Sequence, residues 1–237
     1  MNTITLLSTE KVSLGNSRQL ITPSKIVCIG RNYVEHIQEL ANDIPDEMVV
    51  FLKPNSAMST DLHAKHNEDV LHYEAELSFL YQGGQFTAVA LGLDLTKRDV
   101  QNKLKAKGLP WERAKAFDGS AVFSDFIRIE QQDISQLNLS LTLNGVVKQL
   151  GGVSLMMVKP EETLAELQSF LTLEDGDIIM TGTPKGVGVI KPLDRFVGQV
   201  FLSESDPSVT NCSIKNNSAS NNPAEVTRLL DCQWQAQ

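Results

Sequence analysis

Two glutamates spaced two residues apart are the first candidates for chemistry. In LHYEAELSFLY, Leu71 to Tyr81, apolar and polar positions alternate as in a strand. That pattern puts Tyr73, Ala75 and Leu77 on one side and aims Glu74 and Glu76 to the other. Two ionised carboxylates on one face repel, so either water or a cation must offset the cost. An isolated pair of this kind is more often a solvated sheet edge. A third carboxylate shifts the balance. The apolar run Phe86 to Leu93 stops at Asp94, and a hairpin-like return after Gly83-Gly84 brings that aspartate beside the pair. Three hard oxygen ligands with open positions suit Mg2+ or Mn2+, and a cluster without His or Cys argues against zinc.

Two further polar pairs sit at helical spacing. His36 and Glu39, three apart, share a face of the stretch Asn32 to Leu40, whose apolar side carries Tyr33, Ile37 and Leu40. Arg98 and Gln101 share a face of the helix expected after Asp94, for which Thr96 and Asp99 stand at capping-box spacing and Val100 and Leu104 point inward. Taken alone, each pair is an ordinary solvated face.

The elements that must position these residues follow from the same patterning. Residues 1–24 read as short strands ending at Pro23, and Lys25 to Ile29 as a buried strand containing Cys28. Met48 to Lys53 is another strand, stopped by Pro54, and Asn55 to Asp69 a loop in which His63 and His66 are surface residues. His72 flanks the ligand strand. Asn144-Gly145 between two β runs is a two-residue hairpin signal. Pro160 opens a helix with Leu164, Leu167 and Phe170 inward, and Ile178 to Met180 is a strand. Residues 206–237, including the Asn- and Ser-rich segment 211–222, read as a polar tail or a peripheral edge. Strands with few, separated helices give a mixed α+β fold with a large sheet.

Bulk properties exclude several classes. With 237 residues, 41% hydrophobic, the chain can bury a core without staples. A net charge of -8 without long runs of either sign speaks against nucleic acid as a partner. No stretch has the apolar length of a membrane helix, and the N-terminus lacks a signal-peptide pattern, so a cytoplasmic location is expected. Three cysteines, Cys28, Cys212 and Cys232, form no zinc or disulfide framework. No GxGxxG or Walker A loop occurs.

Six segments, in order, carry a resemblance: GRNYVEH (Gly30 to His36), FLKP (Phe51 to Pro54), HYEAEL (His72 to Leu77), LDLTKRDVQ (Leu93 to Gln101), LPWERAKAFDGS (Leu109 to Ser120) and GDIIMTGTPKGVG (Gly176 to Gly188). Together they resemble the fumarylacetoacetate hydrolase family, most of all its small acylpyruvate hydrolase and oxaloacetate decarboxylase branch. The resemblance implies a mixed β-roll over residues 25–205, a homodimer, and Mg2+ or Mn2+ on Glu74, Glu76 and Asp94. It implies that Lys115 is the ammonium beside the metal, that Arg98, Gln101 and Thr183 contact a small 2-oxo acid, and that His36 with Glu39 activates water from a lid. Val153 stands where the branch usually carries a Thr near the substrate, and the stretch from Glu76 to Asp94 is shorter than the family usually has, without most of a helix before the LDLT strand. The expected activity is cleavage of a carbon–carbon bond in acylpyruvates. Oxaloacetate decarboxylation or oxo-acid tautomerisation on the same site is the alternative, and an impaired small-acid binding protein is the third reading.

Overall fold

In the computed structural model, residues 1–7, 18–203 and 226–237 are described. Cys212 and the Asn- and Ser-rich segment lie outside them. The elements run β1 (Ile4–Leu7), β2 (Arg18–Ile21), β3 (Lys25–Gly30), α1 (Val34–Glu39), β4 (Val49–Pro54), β5 (Met58–Ser59), β6 (Lys65–His66), β7 (Asp69–Val70), β8 (His72–Tyr73), β9 (Ala75–Gln82) and β10 (Gln85–Asp94). They continue with α2 (Arg98–Ala106), α3 (Glu112–Lys115), β11 (Ala121–Phe123), β12 (Phe126–Arg128), β13 (Leu137–Leu143), β14 (Val146–Gly152), α4 (Pro160–Phe170), β15 (Ile178–Met180), β16 (Gly188–Val189), β17 (Arg195–Leu202) and β18 (Thr227–Gln235).

Two sheets dominate. A mixed ten-stranded sheet has the order β2-β1-β12-β10-β9-β15-β3-β4, with β11 pairing β10 and β5 pairing β11. A four-stranded antiparallel sheet, β14-β13-β17-β18, covers one face of it. Alternation along β9 and β10 divides the core. Leu77, Phe79 and Leu91 meet Leu139, Leu141, Phe196 and Val200 between the sheets, while Leu80, Ala88 and Ala90 join Cys28, Phe126 and Met180 inside the curl of the large sheet. This is the expected mixed β-roll. Each fully buried Phe or Leu contributes about 1.5–3 kcal/mol to it.

The β9/β10 hairpin sets the geometry on which everything else depends. Its register places Gly92 opposite Glu76, and the Asp94 amide donates to the Glu74 carbonyl at 2.8 Å. Pairing therefore brings three carboxylates to one face. At Gly92 a Cβ would meet Ser78 Oγ at 2.3 Å, so the close approach inside the curl requires glycine there. The hairpin at Asn144-Gly145 also forms, with φ of +50° and +82° as a type I′ turn demands.

Several expectations need correction. Thr96 caps nothing: its hydroxyl donates to the Asp94 carbonyl, and α2 begins after Lys97 without a side-chain cap. The buried residue of α2 is Gln101, while Val100 and Leu104 are only half-buried, because this helix turns its inner face toward a polar cavity. Phe170 is exposed; α4 buries Pro160, Thr163 and Leu167 instead. The segment read as a loop, Asn55 to Asp69, holds a short 3-10 turn, the strands β5 and β6 and the start of β7, and His66 is half-buried with its ring 4.8 Å from Phe117. β18 pairs along β17 as an edge strand. Among the described residues, no helix is long and apolar enough to cross a membrane.

Candidate active site

Glu74 lies between β8 and β9, Glu76 in β9 and Asp94 at the end of β10; all three are buried, and one carboxylate oxygen from each lies within 4.8 Å of the others. Three cations surround them. Lys115, brought in by α3, donates to Glu74 Oε2 at 2.8 Å, Asp94 Oδ2 at 2.5 Å and Thr96 Oγ1 at 2.6 Å. Arg98, at the start of α2, pairs with Glu74 Oε1 and donates to Gln101 Oε1 at 2.8 Å. Lys53, from β4 and without exposed surface, lies 2.8 Å from Asp94 Oδ1 and donates to the backbone carbonyls of Lys115 and Ser120.

Charge is shared unevenly. Burial alone would raise the Glu74 carboxyl, but Lys115 and Arg98 outweigh it and hold the group well below the usual carboxylate range. Burial pushes Glu76 well up, and Asp94 and Glu74 push it further. Its hydrogen-bond donor is the Gly182 amide at 2.8 Å, and no ion pair reaches it among the described residues. Lys115 shows the mirror effect: burial lowers its ammonium, yet Asp94 and Glu74 raise it above the ordinary value. Three converging hard oxygens, one of them without a cation of its own, fit a divalent metal ion.

A cavity of about 40 Å³ opens onto this cluster. Its far wall is the segment 31–42, which contributes Arg31, His36, Ile37, Leu40 and Asn42. His36 Nδ1 lies 3.1 Å from Glu39 Oε2, and Glu39 Oε1 accepts the Gly186 amide at 3.0 Å. Two non-glycine residues in the left-handed region, Arg31 at φ +56° and Ala41 at φ +50°, bracket this wall.

The residues expected from the sequence thus come together: Glu74, Glu76, Asp94, His36, Arg98, Gln101, Lys115 and Thr183 all line the one cavity, and Glu39 holds His36 from behind. Thr183 is heavily committed, donating to the Ala75 carbonyl at 2.8 Å and accepting Gln149 Nε2 at 2.7 Å. Half-buried His72 makes no ring hydrogen bond to the cluster among the described residues; burial and then Arg98 lower its pKa. Val153 does not line the cavity but packs in the core. The shortened stretch closes as the direct β9/β10 hairpin, whose turn at Gly83-Gly84 is away from the cavity. Sequence reasoning gave no role to Lys53, Arg31 or Lys105. The signal for Lys53 was a lysine inside the apolar run MVVFLK.

Fold and site together define an enzyme-like centre in which buried carboxylates and ammonium groups face a small polar cavity. The Fumarylacetoacetate (FAA) hydrolase C-terminal family model matches residues 25–84 and 86–218. The chain belongs to the fumarylacetoacetate hydrolase family. It is 37% identical over 188 residues to oxaloacetate tautomerase YcgM of Escherichia coli K12, a match covering 73% of this chain and 86% of that protein. Among solved structures, a putative fumarylacetoacetate isomerase/hydrolase from Oleispira antarctica superposes with TM-score 0.81 at 28% identity, covering 100% of both chains. Fumarylpyruvate hydrolase from Pseudomonas aeruginosa, in complex with Mn2+ and pyruvate, gives TM-score 0.74 at 29% identity, covering 84% of this chain and 91% of that one.

Proposed function

We propose that the protein interconverts the keto and enol forms of a small 2-oxo acid, with oxaloacetate as the substrate. This corrects the order expected from the sequence, which put acylpyruvate hydrolysis first; the similarity to an oxaloacetate tautomerase supports the alternative better. One observation carries the reading: His36, held by Glu39, faces the same small cavity as Lys115.

Glu74, Glu76 and Asp94 would hold the divalent ion, Mg2+ or Mn2+. Bound there, it would supply Lewis acidity to the 2-oxo oxygen. The chain's own groups do the rest. Lys115 and Arg98 place positive charge where the enolate oxygen develops. Gln101, whose Oε1 is held by Arg98, offers its side-chain amide nitrogen to the acid end, and Thr183 frames that part of the cavity. With Nδ1 committed to Glu39, His36 keeps Nε2 for the cavity; it takes the proton from C3 in the keto-to-enol direction and returns it in the reverse, while the oxygen on C2 gains or loses the balancing proton. Decarboxylation of oxaloacetate would use the same enolate stabilisation. Assembly as a homodimer belongs to the same reading and is checked by sedimentation.

Hydrolysis of an acylpyruvate is the second reading, favoured by the likeness to fumarylpyruvate hydrolase. The deciding experiment follows the enol absorbance of oxaloacetate and the cleavage of fumarylpyruvate side by side, with Mg2+ and with EDTA, in wild type and His36→Ala. Metal-dependent tautomerisation that falls about 10²-fold or more in the variant is expected. Cleavage of fumarylpyruvate without tautomerisation would promote the second reading, and inertness toward both would leave a binding protein.

A further inference from the structure

The cavity holds more positive charge than its acidic cluster accounts for. Lys53, Lys115 and Arg98 each pair with Glu74, Asp94 or both. Arg31 and Lys105 line the same cavity, and among the described residues neither makes an ion pair. Asp46 and Glu47 border a neighbouring depression that Arg31 also lines, without pairing with it. The Lys105 ammonium donates to a neutral oxygen, Asn42 Oδ1, at 2.6 Å. Burial first, then repulsion from Arg31 and Arg98, lowers its pKa. Two cations turned into one cavity without a carboxylate partner are unfavourable unless an anion arrives between them.

Their positions say which part of a ligand they would meet. On α2, Lys105 lies one turn beyond Gln101, on the face that begins with Arg98 at Glu74. Lys105 is therefore farther along α2 from the carboxylate cluster than Arg98 and Gln101, and still within electrostatic reach of Glu74. Arg31 and Asn42 are at the two ends of the wall that carries His36. Arg31 holds φ +56°, in the left-handed region that side-chain-bearing residues rarely adopt.

Resting on the oxaloacetate reading above, we propose that Arg31 and Lys105 form the subsite for the second carboxylate of a 2-oxo dicarboxylic acid and so select dicarboxylic over monocarboxylic substrates. Asn42 orients the lysine, and the anion ties the His36 wall to α2. The wall then closes more readily over a dicarboxylate than over its neutral counterpart.

The test compares Lys105→Met and Arg31→Gln with wild type, each checked for folding by thermal denaturation. Turnover is measured on oxaloacetate and on 2-oxosuccinamate, in which a neutral amide replaces the distal carboxylate. Binding to the Mg2+-loaded protein is measured by calorimetry with malate and 2-hydroxybutyrate, which differ in carrying a carboxylate or a methyl at the far end. Wild type should bind malate about ten-fold or more tightly than 2-hydroxybutyrate. Each variant should lose most of that preference and lower kcat/KM for oxaloacetate about ten-fold or more, with 2-oxosuccinamate changed less than about three-fold. Equal losses on both substrates, or an unchanged malate preference in both variants, would overturn the subsite. If wild type turns over neither substrate but the malate preference depends on Lys105 and Arg31, the oxaloacetate reading fails and the anion subsite stands. An unfolded Arg31→Gln leaves the decision to Lys105→Met.

Discussion

Asp177 and Glu76 are both buried carboxylates in the large sheet's neighbourhood, and they are treated in opposite ways. Asp177 accepts Ser24 Oγ at 2.7 Å, the Lys25 amide at 3.1 Å, Lys25 Nζ at 2.5 Å and the Glu174 amide at 2.8 Å. Burial would raise its carboxyl, but these donors more than compensate and lower it. Glu76 has a single amide donor and two carboxylates for neighbours, and is pushed up. Saturated with partners, Asp177 locks the start of β3 to the turn before β15. Short of partners, Glu76 is, on the proposed reading, the carboxylate that a divalent ion completes. On that reading the difference separates a carboxylate that serves the fold from one that serves the site.

Substitutions at four positions sharpen or break that contrast. The largest effect belongs to the site: Lys115→Met removes the ammonium shared by Glu74 and Asp94 and should lower kcat about 10²–10³-fold with little change in KM. Steady-state kinetics on oxaloacetate checks it, and a change confined to KM would reduce Lys115 to a substrate anchor. Next comes the fold: Asp177→Ala strands Lys25 and two amides and should cost about 3 kcal/mol in urea unfolding, whereas Glu76→Gln in EDTA should cost less than about 1 kcal/mol or stabilise the protein. If Glu76→Gln proves the more damaging of the two, the contrast is wrong.

A pH series refines it. Asp177 titrates lower folded than unfolded, so its contribution is complete above the unfolded pKa near about 3.9 and is lost as pH falls through the lower folded value. The gap in urea midpoint between wild type and Asp177→Asn should therefore be constant from pH 7 to 5 and narrow below about pH 4; a gap that widens in acid would contradict the assigned role. The smallest effect is expected at Val153. Since it packs in the core away from the cavity, Val153→Thr should change kcat/KM less than about three-fold while costing about 1 kcal/mol of stability.

The acidic cluster was legible because it is local. The two-residue period of β9 aims Glu74 and Glu76 one way, and a hairpin return is enough to deliver Asp94. The turn at Asn144-Gly145 was legible for the same reason: its backbone demand is written in two residues. Lys53 was not, because its partner Asp94 is far along the chain and meets it only through the curl of the sheet in which β4, β3, β15, β9 and β10 pair side by side. Helix faces were half legible. Periodicity finds a face on α2 but not what it faces; the cavity is polar, so Gln101 is the residue buried. Phe170 erred the other way, an apolar residue at the right spacing on the last turn of α4, beyond the reach of the sheet.

The central claim, that Glu76 is left without a cation because a divalent ion completes it, is tested most directly by calorimetric titration of Mn2+ into wild type and Glu76→Gln in the absence of substrate. The account predicts one site per chain in wild type and an affinity about 10²-fold or more weaker in the variant, since a neutral amide replaces one of three carboxylate ligands. Equal affinity in the two proteins would contradict it.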